Sequence, residues 1–226
     1  MALKVLGIST SPRADGNSDR LLKEALRGAE DAGGRTEYFS LRGFTIAPCI
    51  ECNSCHKTGL CRVQDGFQAV FEKLLSADRI VFATPIFFMT VSAQAKLLID
   101  RCQCLWARKY VLKAPLFPEG RRDRRGLVIA VGGSRSKKMF ESVALTMKYW
   151  FDALEIDYFA NLFVNRADGR GDILERPQAL EEAFRLGRAL ATPGEPMPEK
   201  PIDVTRFEPT GEPATEPHKP TQKGTT

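Results

Sequence analysis

Residues 3–18 read L-K-V-L-G-I-S-T-S-P-R-A-D-G-N-S, and this stretch decides the fold. Leu3 to Ser9 is a short, mostly apolar run bounded by a turn signal, as expected of a buried strand in a parallel sheet. Thr10 to Gly16 is a polar turn stiffened by Pro12. Asn17 or Ser18 can cap a helix. From there Leu21, Leu22, Ala25, Leu26 and Ala29 recur at helical spacing, and Gly33-Gly34 ends the run.

The strand-then-helix unit repeats outward from this start. Arg35–Leu41 alternates as a second strand, and Asp65 can cap a helix carrying Phe67, Val70, Phe71, Leu74 and Leu75. Arg79–Thr84 is a third strand closed by Pro85, and Ser92 can cap the helix through Ala95, Leu98, Ile99 and Cys102. Gly126–Val131 and Ile156–Val164 complete the strands, with a helix over Phe140–Leu154 and another opened by Pro177 and running to about Leu190. Five such units predict an α/β fold, a doubly wound sheet of five parallel strands with helices on both faces. Sheets of this kind bind ligands outside the carboxyl ends of their strands, near the switch in strand order. The loops after the first, third and fourth strands are therefore the candidate site.

Composition fits one domain with an appended segment. The chain has 226 residues, net charge +5, 43% apolar and 27% charged residues, an ordinary globular balance. No apolar run approaches the roughly 18 residues of a membrane span, and the first residues do not read as a signal peptide. A cytoplasmic protein is expected, and its six cysteines then point to metal or redox chemistry more than to disulfides. Residues 192–226 hold eight prolines and only scattered apolar residues, so a disordered tail is expected there and a compact domain over 1–191. Without the tail, 29 basic residues face 22 acidic ones. The run Arg121-Arg122-Asp123-Arg124-Arg125 reads as a solvated loop, or as a site for a nicotinamide 2′-phosphate or an acidic redox partner. No nucleic-acid motif accompanies the charge.

The loop after the first strand contains neither the dinucleotide fingerprint nor the triphosphatase loop. It offers hydroxyls on Ser9, Thr10, Ser11 and Ser18, the Arg13 guanidinium and a helix N-terminus, donors that suit a terminal phosphate. The same residues also make an ordinary polar turn. Thr84-Pro85-Ile86-Phe87-Phe88-Met89 is either core or an apolar wall for a flat ligand. Gly132-Gly133 either lets a ligand approach the backbone or merely ends a strand.

Between the second strand and its helix, residues 42–64 are irregular and carry Cys49-x2-Cys52-x2-Cys55-x5-Cys61. Thiolates are soft ligands, and the spacing is closer to compact ferredoxin runs than to zinc ribbons. Zinc and free redox-active thiols remain open from the residues alone. His56 tunes a metal there or is simply exposed. Cys102 and Cys104 fall on opposite sides of a helix and read as buried structural thiols.

The run S-T-S-P-R-x-x-G-N-S at 9–18 resembles the phosphate loop of the flavodoxin-like NAD(P)H-dependent FMN reductases, usually G-S-P-R-x-x-G-N-T. Residues 84–101 are similar to that family's T-P-x-Y-x-x-x-x-S-x-x-x-K-x-x-I-D-R, with Phe87 in place of the frequent tyrosine. The resemblance implies a flavodoxin-like sheet of order 2-1-3-4-5. It implies FMN held at its phosphate by Ser9, Ser11, Arg13, Asn17 and Ser18, with Pro12 in the same loop. The ring would lie on Thr84, Pro85, Ile86, Phe87 and Phe88, and more loosely on Gly132 and Gly133. The cysteine spacing at this place looks like that of the iron–sulfur flavoproteins, which implies that Cys49, Cys52, Cys55 and Cys61 ligate one 4Fe–4S centre. The implied function is an FMN-dependent oxidoreductase or electron-transfer flavoprotein using NAD(P)H, with no side chain required as general acid or base. Alternatives are a flavin, quinone or azo reductase without a cluster, a carrier exchanging electrons with a ferredoxin-like protein, and a zinc-stabilised binding module. A homodimer or homotetramer is implied by resemblance alone.

Overall fold

β1 (Lys4–Ser9) is an interior strand of a parallel sheet, second from one edge, and the chain leaves it in both directions. The computed structural model describes residues 2–117, 119–120, 122–136 and 138–205. After β1 and α1 (Asn17–Asp31), β2 (Arg35–Ser40) pairs with one edge of β1. The chain then passes through α2 (Cys55–Thr58) and α3 (Phe67–Ser76) to β3 (Arg79–Phe87), on the other edge of β1. A two-residue strand, β4 (Thr90–Val91), folds back antiparallel on the end of β3. Next come α4 (Ala93–Arg101), α5 (Gln103–Trp106) and a π-helical turn over Ala107–Val111. The sheet grows outward with β5 (Arg125–Val131), α6 (Lys138–Ala153), β6 (Asp157–Val164), α7 (Pro177–Ala191) and β7 (Ile202–Thr205).

The order is β2-β1-β3-β5-β6-β7, with β4 paired only to β3. Its first five members reproduce the expected 2-1-3-4-5 order, but the sheet has seven strands rather than five. One addition corrects the tail. Residues 192–205 are not a disordered segment, because β7 pairs in register with β6 from Ala160↔Ile202 to Phe163↔Thr205. Arg125 Nη1 also donates to the Glu195 carbonyl at 2.6 Å. Ile202 and Val204 are few, but they need no core of their own. They pack against one already built, while the open edge of β6 supplies main-chain partners. The rest of the expected tail, 206–226, lies outside the described residues.

Alternation along the strands sorts side chains to two cores. Leu6, Ile8, Ile80, Phe82, Val128 and Ala130 face α3, α4 and α6. Val5, Val81, Ala83, Leu127, Ile129 and Val131 face α1 and α7. On that second face the two helices touch through glycines. A Cβ on Gly28 would stand 2.0 Å from the Phe184 carbonyl oxygen, and one on Gly187 1.9 Å from that of Ala25. Only a residue without a side chain permits this crossing.

Among the described residues of the arginine run Asp123 is exposed, as a solvated loop would have it, but Arg124 is buried, and the run lies away from the carboxyl ends. It sits at the amino end of β5, and Arg121 lies outside the described residues. Arg124 is buried and donates to the carbonyls of Ala77 and Leu154 at 2.9 and 2.6 Å, and to that of Leu74. Arg122 pairs with Asp78, and Asp123 with buried Arg79 at 2.8 Å. These residues tie connections together at the end of the sheet opposite the candidate loops. A nicotinamide phosphate bound at those loops is out of their reach.

Candidate functional site

Four loops meet at the carboxyl ends of β1, β3, β5 and β6. Ser11, Pro12, Arg13, Gly16, Asn17 and Ser18 come from the first, Pro85, Ile86 and Phe87 from the second, and Gly132 and Gly133 from the third. They enclose a cleft of about 70 Å3. The fourth loop, with Ala167, Asp168 and Arg170, was not singled out from sequence. Nothing in that polar stretch marks it, and only the extension of β6 beside β5 brings it here.

Local hydrogen bonds shape the first loop. Ser11 Oγ accepts from Arg13 N at 3.1 Å and donates to Arg13 O at 2.9 Å, closing a tight turn. The residue preceding α1 is Gly16, and no side chain caps this helix, contrary to the expected cap by Asn17 or Ser18. The Asn17 amide is engaged elsewhere. Nδ2 donates to Gly169 O at 2.8 Å, and Oδ1 accepts from Gly171 N and Ile173 N at 3.0 and 3.3 Å. Arg13 Nη1 reaches Asp168 O at 3.3 Å, and Arg170 Nη2 reaches Ala14 O at 3.1 Å. Two guanidinium groups and a helix N-terminus without a side-chain cap thus face one small cleft, an arrangement suited to an anion.

Three expected contacts fall outside the cleft. Ser9 is fully buried at the end of β1. Thr84 is also buried, with Oγ1 donating to Pro85 O and accepting from Ser92 N. Phe88 points fully into solvent. Phe88 and Met89 have φ of 48° and 65°, as the central pair of a two-residue hairpin joining β3 to β4 requires. That turn normally takes Asn-Gly, so two bulky residues hold it under strain of the order of 1–2 kcal/mol each. Phe87, the residue before the turn, is the aromatic that remains at the cleft, and it is 46% exposed.

The four loop cysteines border a second cavity of about 450 Å3 with Arg62, Arg101, Cys104 and Trp106 among its walls. The two cavities have no lining residue in common. Cys49 and Cys52 are exposed, Cys55 and Cys61 half-buried. Among the described residues, no three His, Cys, Asp or Glu side chains are grouped so as to hold a metal ion. Main-chain and hydroxyl bonds from Ser54 hold the Cys52 thiol below its ordinary pKa, and burial raises that of Cys55. Cys102 and Cys104 are both buried among core residues as expected, and Cys104 also lines the cavity. Burial, and then the nearby Cys61 and Cys55, push its thiol up to about 12. Alternation along the helix indicates opposite sides for the two thiols; only the packing says which side faces the cavity. His56 also lines the cavity, its ring 6.3 Å from that of Trp106.

The helix ends around this loop follow their sequence signals. Asp65 Oδ1 accepts from Phe67 N at 2.9 Å, and Gln68 Oε1 from Asp65 N at 2.8 Å, a reciprocal cap at the start of α3. Ser92 Oγ accepts from Ala95 N at 3.3 Å at the start of α4. Among the described residues, no helix is long and apolar enough to cross a membrane.

Against known proteins, residues 3–157 match the family model described as NADPH-dependent FMN reductase. An iron–sulfur flavoprotein of Archaeoglobus fulgidus is 40% identical over 131 residues, 58% of this chain and 63% of that protein. The chain spans less than two thirds of the length of the first curated relatives it matches. A putative NAD(P)H-dependent FMN-containing oxidoreductase of Bacillus subtilis is 30% identical over 187 residues, covering 81% of this chain and 96% of the relative. Among solved structures, an NAD(P)H:quinone oxidoreductase from Methanothermobacter marburgensis superimposes with a TM-score of 0.66 at 18% identity, covering 84% of this chain and 96% of that one. At that identity the likeness speaks for the fold.

Proposed function

Because the chain belongs to the NADPH-dependent FMN reductase family, we propose that it is an FMN-containing oxidoreductase that takes electrons from NAD(P)H and carries a 4Fe–4S centre on Cys49, Cys52, Cys55 and Cys61. The observation that carries the FMN part is the meeting of four loops at one cleft with Arg13, Arg170 and the uncapped start of α1. The cleft is well below the roughly 300–1,000 Å3 of a drug-sized ligand site. It suits a phosphate group, and a flavin ring would lie outside it, against half-exposed Phe87 and the Gly132-Gly133 backbone. Ser11, Arg13 and Ser18 are the phosphate residues in this reading, and Asn17 acts on the loop after β6. Bound FMN supplies two-electron uptake and single-electron release, and an iron–sulfur centre moves electrons one at a time.

The thiol cavity supports the cluster. All four cysteines border that cavity, and their spacing is closer to compact ferredoxin runs than to zinc ribbons. The protein's share is to fix both groups, shield them and admit a donor. A homodimer or homotetramer fits the exposed Phe87, Phe88, Met89, Leu145 and Tyr149 side chains. In this reading the domain runs from about residue 2 to about 205, beyond the expected limit of 191.

Anaerobic purification tests this with a visible spectrum and assays for FMN, iron and acid-labile sulfide. The expected yield is one FMN and four irons per chain, with rapid bleaching of the flavin by NADPH. Flavin without iron favours a cluster-free reductase; inertness to NADPH favours a carrier served by a ferredoxin-like protein. A colourless zinc protein overturns the reading.

A further inference from the structure

Arg101, the last residue of α4, has a side chain wholly removed from solvent. Its Nη1 donates to Asp65 Oδ2 at 2.6 Å and to Ala47 O at 2.9 Å, and its Nη2 donates to Val63 O at 2.9 Å. The Phe67 ring covers the guanidinium at 4.8 Å. Ala47 and Val63 bracket the segment from Cys49 to Cys61, so one side chain fixes both ends of the cysteine loop. Of its two remaining donors, Nε–H sits on a buried atom that has no hydrogen-bond partner. A buried donor left so is costly, and it calls for an acceptor. Arg101 lines the same cavity as the four thiols. Burial works against its charge, Asp65 offsets that, and Cys61 is the next group to interact with the guanidinium.

We propose that Arg101 is a positioning residue whose Nε–H donates to the anionic centre held by the four cysteines, on its Cys61 side, and whose charge raises that centre's reduction potential. Reduction adds an electron to a group already negative. A buried cation beside it stabilises the reduced form, and hydrogen bonds to cluster sulfurs act in the same direction. Asp65 works against this, because its carboxylate neutralises part of the Arg101 charge. The inference rests on the cluster reading above.

The test is spectroelectrochemical titration of the anaerobic holoprotein and of R101Q, R101K and D65N, with iron and sulfide assayed in each. At a fixed applied potential, R101Q should show at least a tenfold lower reduced-to-oxidised ratio, about 59 mV for a one-electron couple. R101K keeps the charge and should shift less. D65N should shift the opposite way, with a higher reduced fraction than wild type. A residue that only builds the loop would leave the potential in place, or move R101Q and D65N in the same direction; either result overturns the proposal. If R101Q fails to assemble its centre, D65N decides: an upward shift supports the proposal, and no shift or a downward one overturns it. Wild-type protein without iron and sulfide would overturn the cluster reading and this inference together. A loaded wild type beside an R101Q variant of unchanged potential would overturn only the latter.

Discussion

Asn17 and Gly169 are joined by a 2.8 Å hydrogen bond from the side-chain amide to the main-chain oxygen, across 152 positions of sequence. With the two bonds accepted by its Oδ1, Asn17 fastens the loop after β6 to the start of α1. Its side chain therefore organises the cleft more than it reaches into it. N17A should lose loop docking worth about 1.5–4.5 kcal/mol, for three bonds at roughly 0.5–1.5 kcal/mol each. FMN and riboflavin, which lacks the phosphate, should weaken by similar factors of about ten or more. The double variant S11A/R13A should weaken FMN and spare riboflavin. Fluorescence titration with both flavins separates the two roles. Selective loss of FMN in N17A would return Asn17 to the phosphate.

The glycine contact between α1 and α7 sets the spacing of one whole face. G187A places a methyl group against the Ala25 carbonyl, a backbone atom that cannot swing away. Destabilisation by about 1–3 kcal/mol is expected, as for overpacked cores, with a melting temperature lower by several degrees. Thermal unfolding followed by circular dichroism checks it.

Asp65 gives the cysteine loop a pH dependence. Burial alone would raise its carboxyl, but Arg101 and the Ala47 and Phe67 amides outweigh it and hold the group below its ordinary value of 3.8. A depressed carboxylate stabilises the fold fully above the unfolded value, and the contribution is lost as pH falls through the folded one. Urea unfolding of wild type and D65N should therefore differ most above pH 3.8 and converge in more acidic solution. A gap that stays constant into strong acid would show that Asp65 is not the group responsible.

Thiol accessibility separates the six cysteines. In protein stripped of metal, iodoacetamide near neutral pH should modify Cys49 and Cys52 within minutes. Cys102 and Cys104 are nearly inaccessible, and burial holds both thiols protonated. They should react only after unfolding. Peptide mass spectrometry reads each site, and early labelling of Cys104 would mean that the cavity opens on the exposed side of α5.

Much of the fold was legible because its signals are local. Strands built of Val, Ile and Leu, helix faces at a 3.6 spacing, and the capping residues Asp65, Ser92 and Pro177 act within one turn or one strand of themselves. β7 escaped because a strand that joins a finished edge needs little hydrophobic content of its own. The exposure of Phe88 escaped because a two-residue hairpin turns a residue outward regardless of its apolar character.

The sequence by itself determined the order of elements, the sheet that follows from it, and the residue types able to hold a phosphate or a soft metal. Periodicity and turn chemistry carry that information within a dozen residues. Only the tertiary structure decided that Asp168 and Arg170 join the cleft and that Asn17 serves a neighbouring loop. It alone also put Cys104 and the unsatisfied Arg101 Nε at the thiol cavity. Those outcomes depend on distances between segments far apart in the chain, and such distances exist only once the sheet has brought its strands side by side.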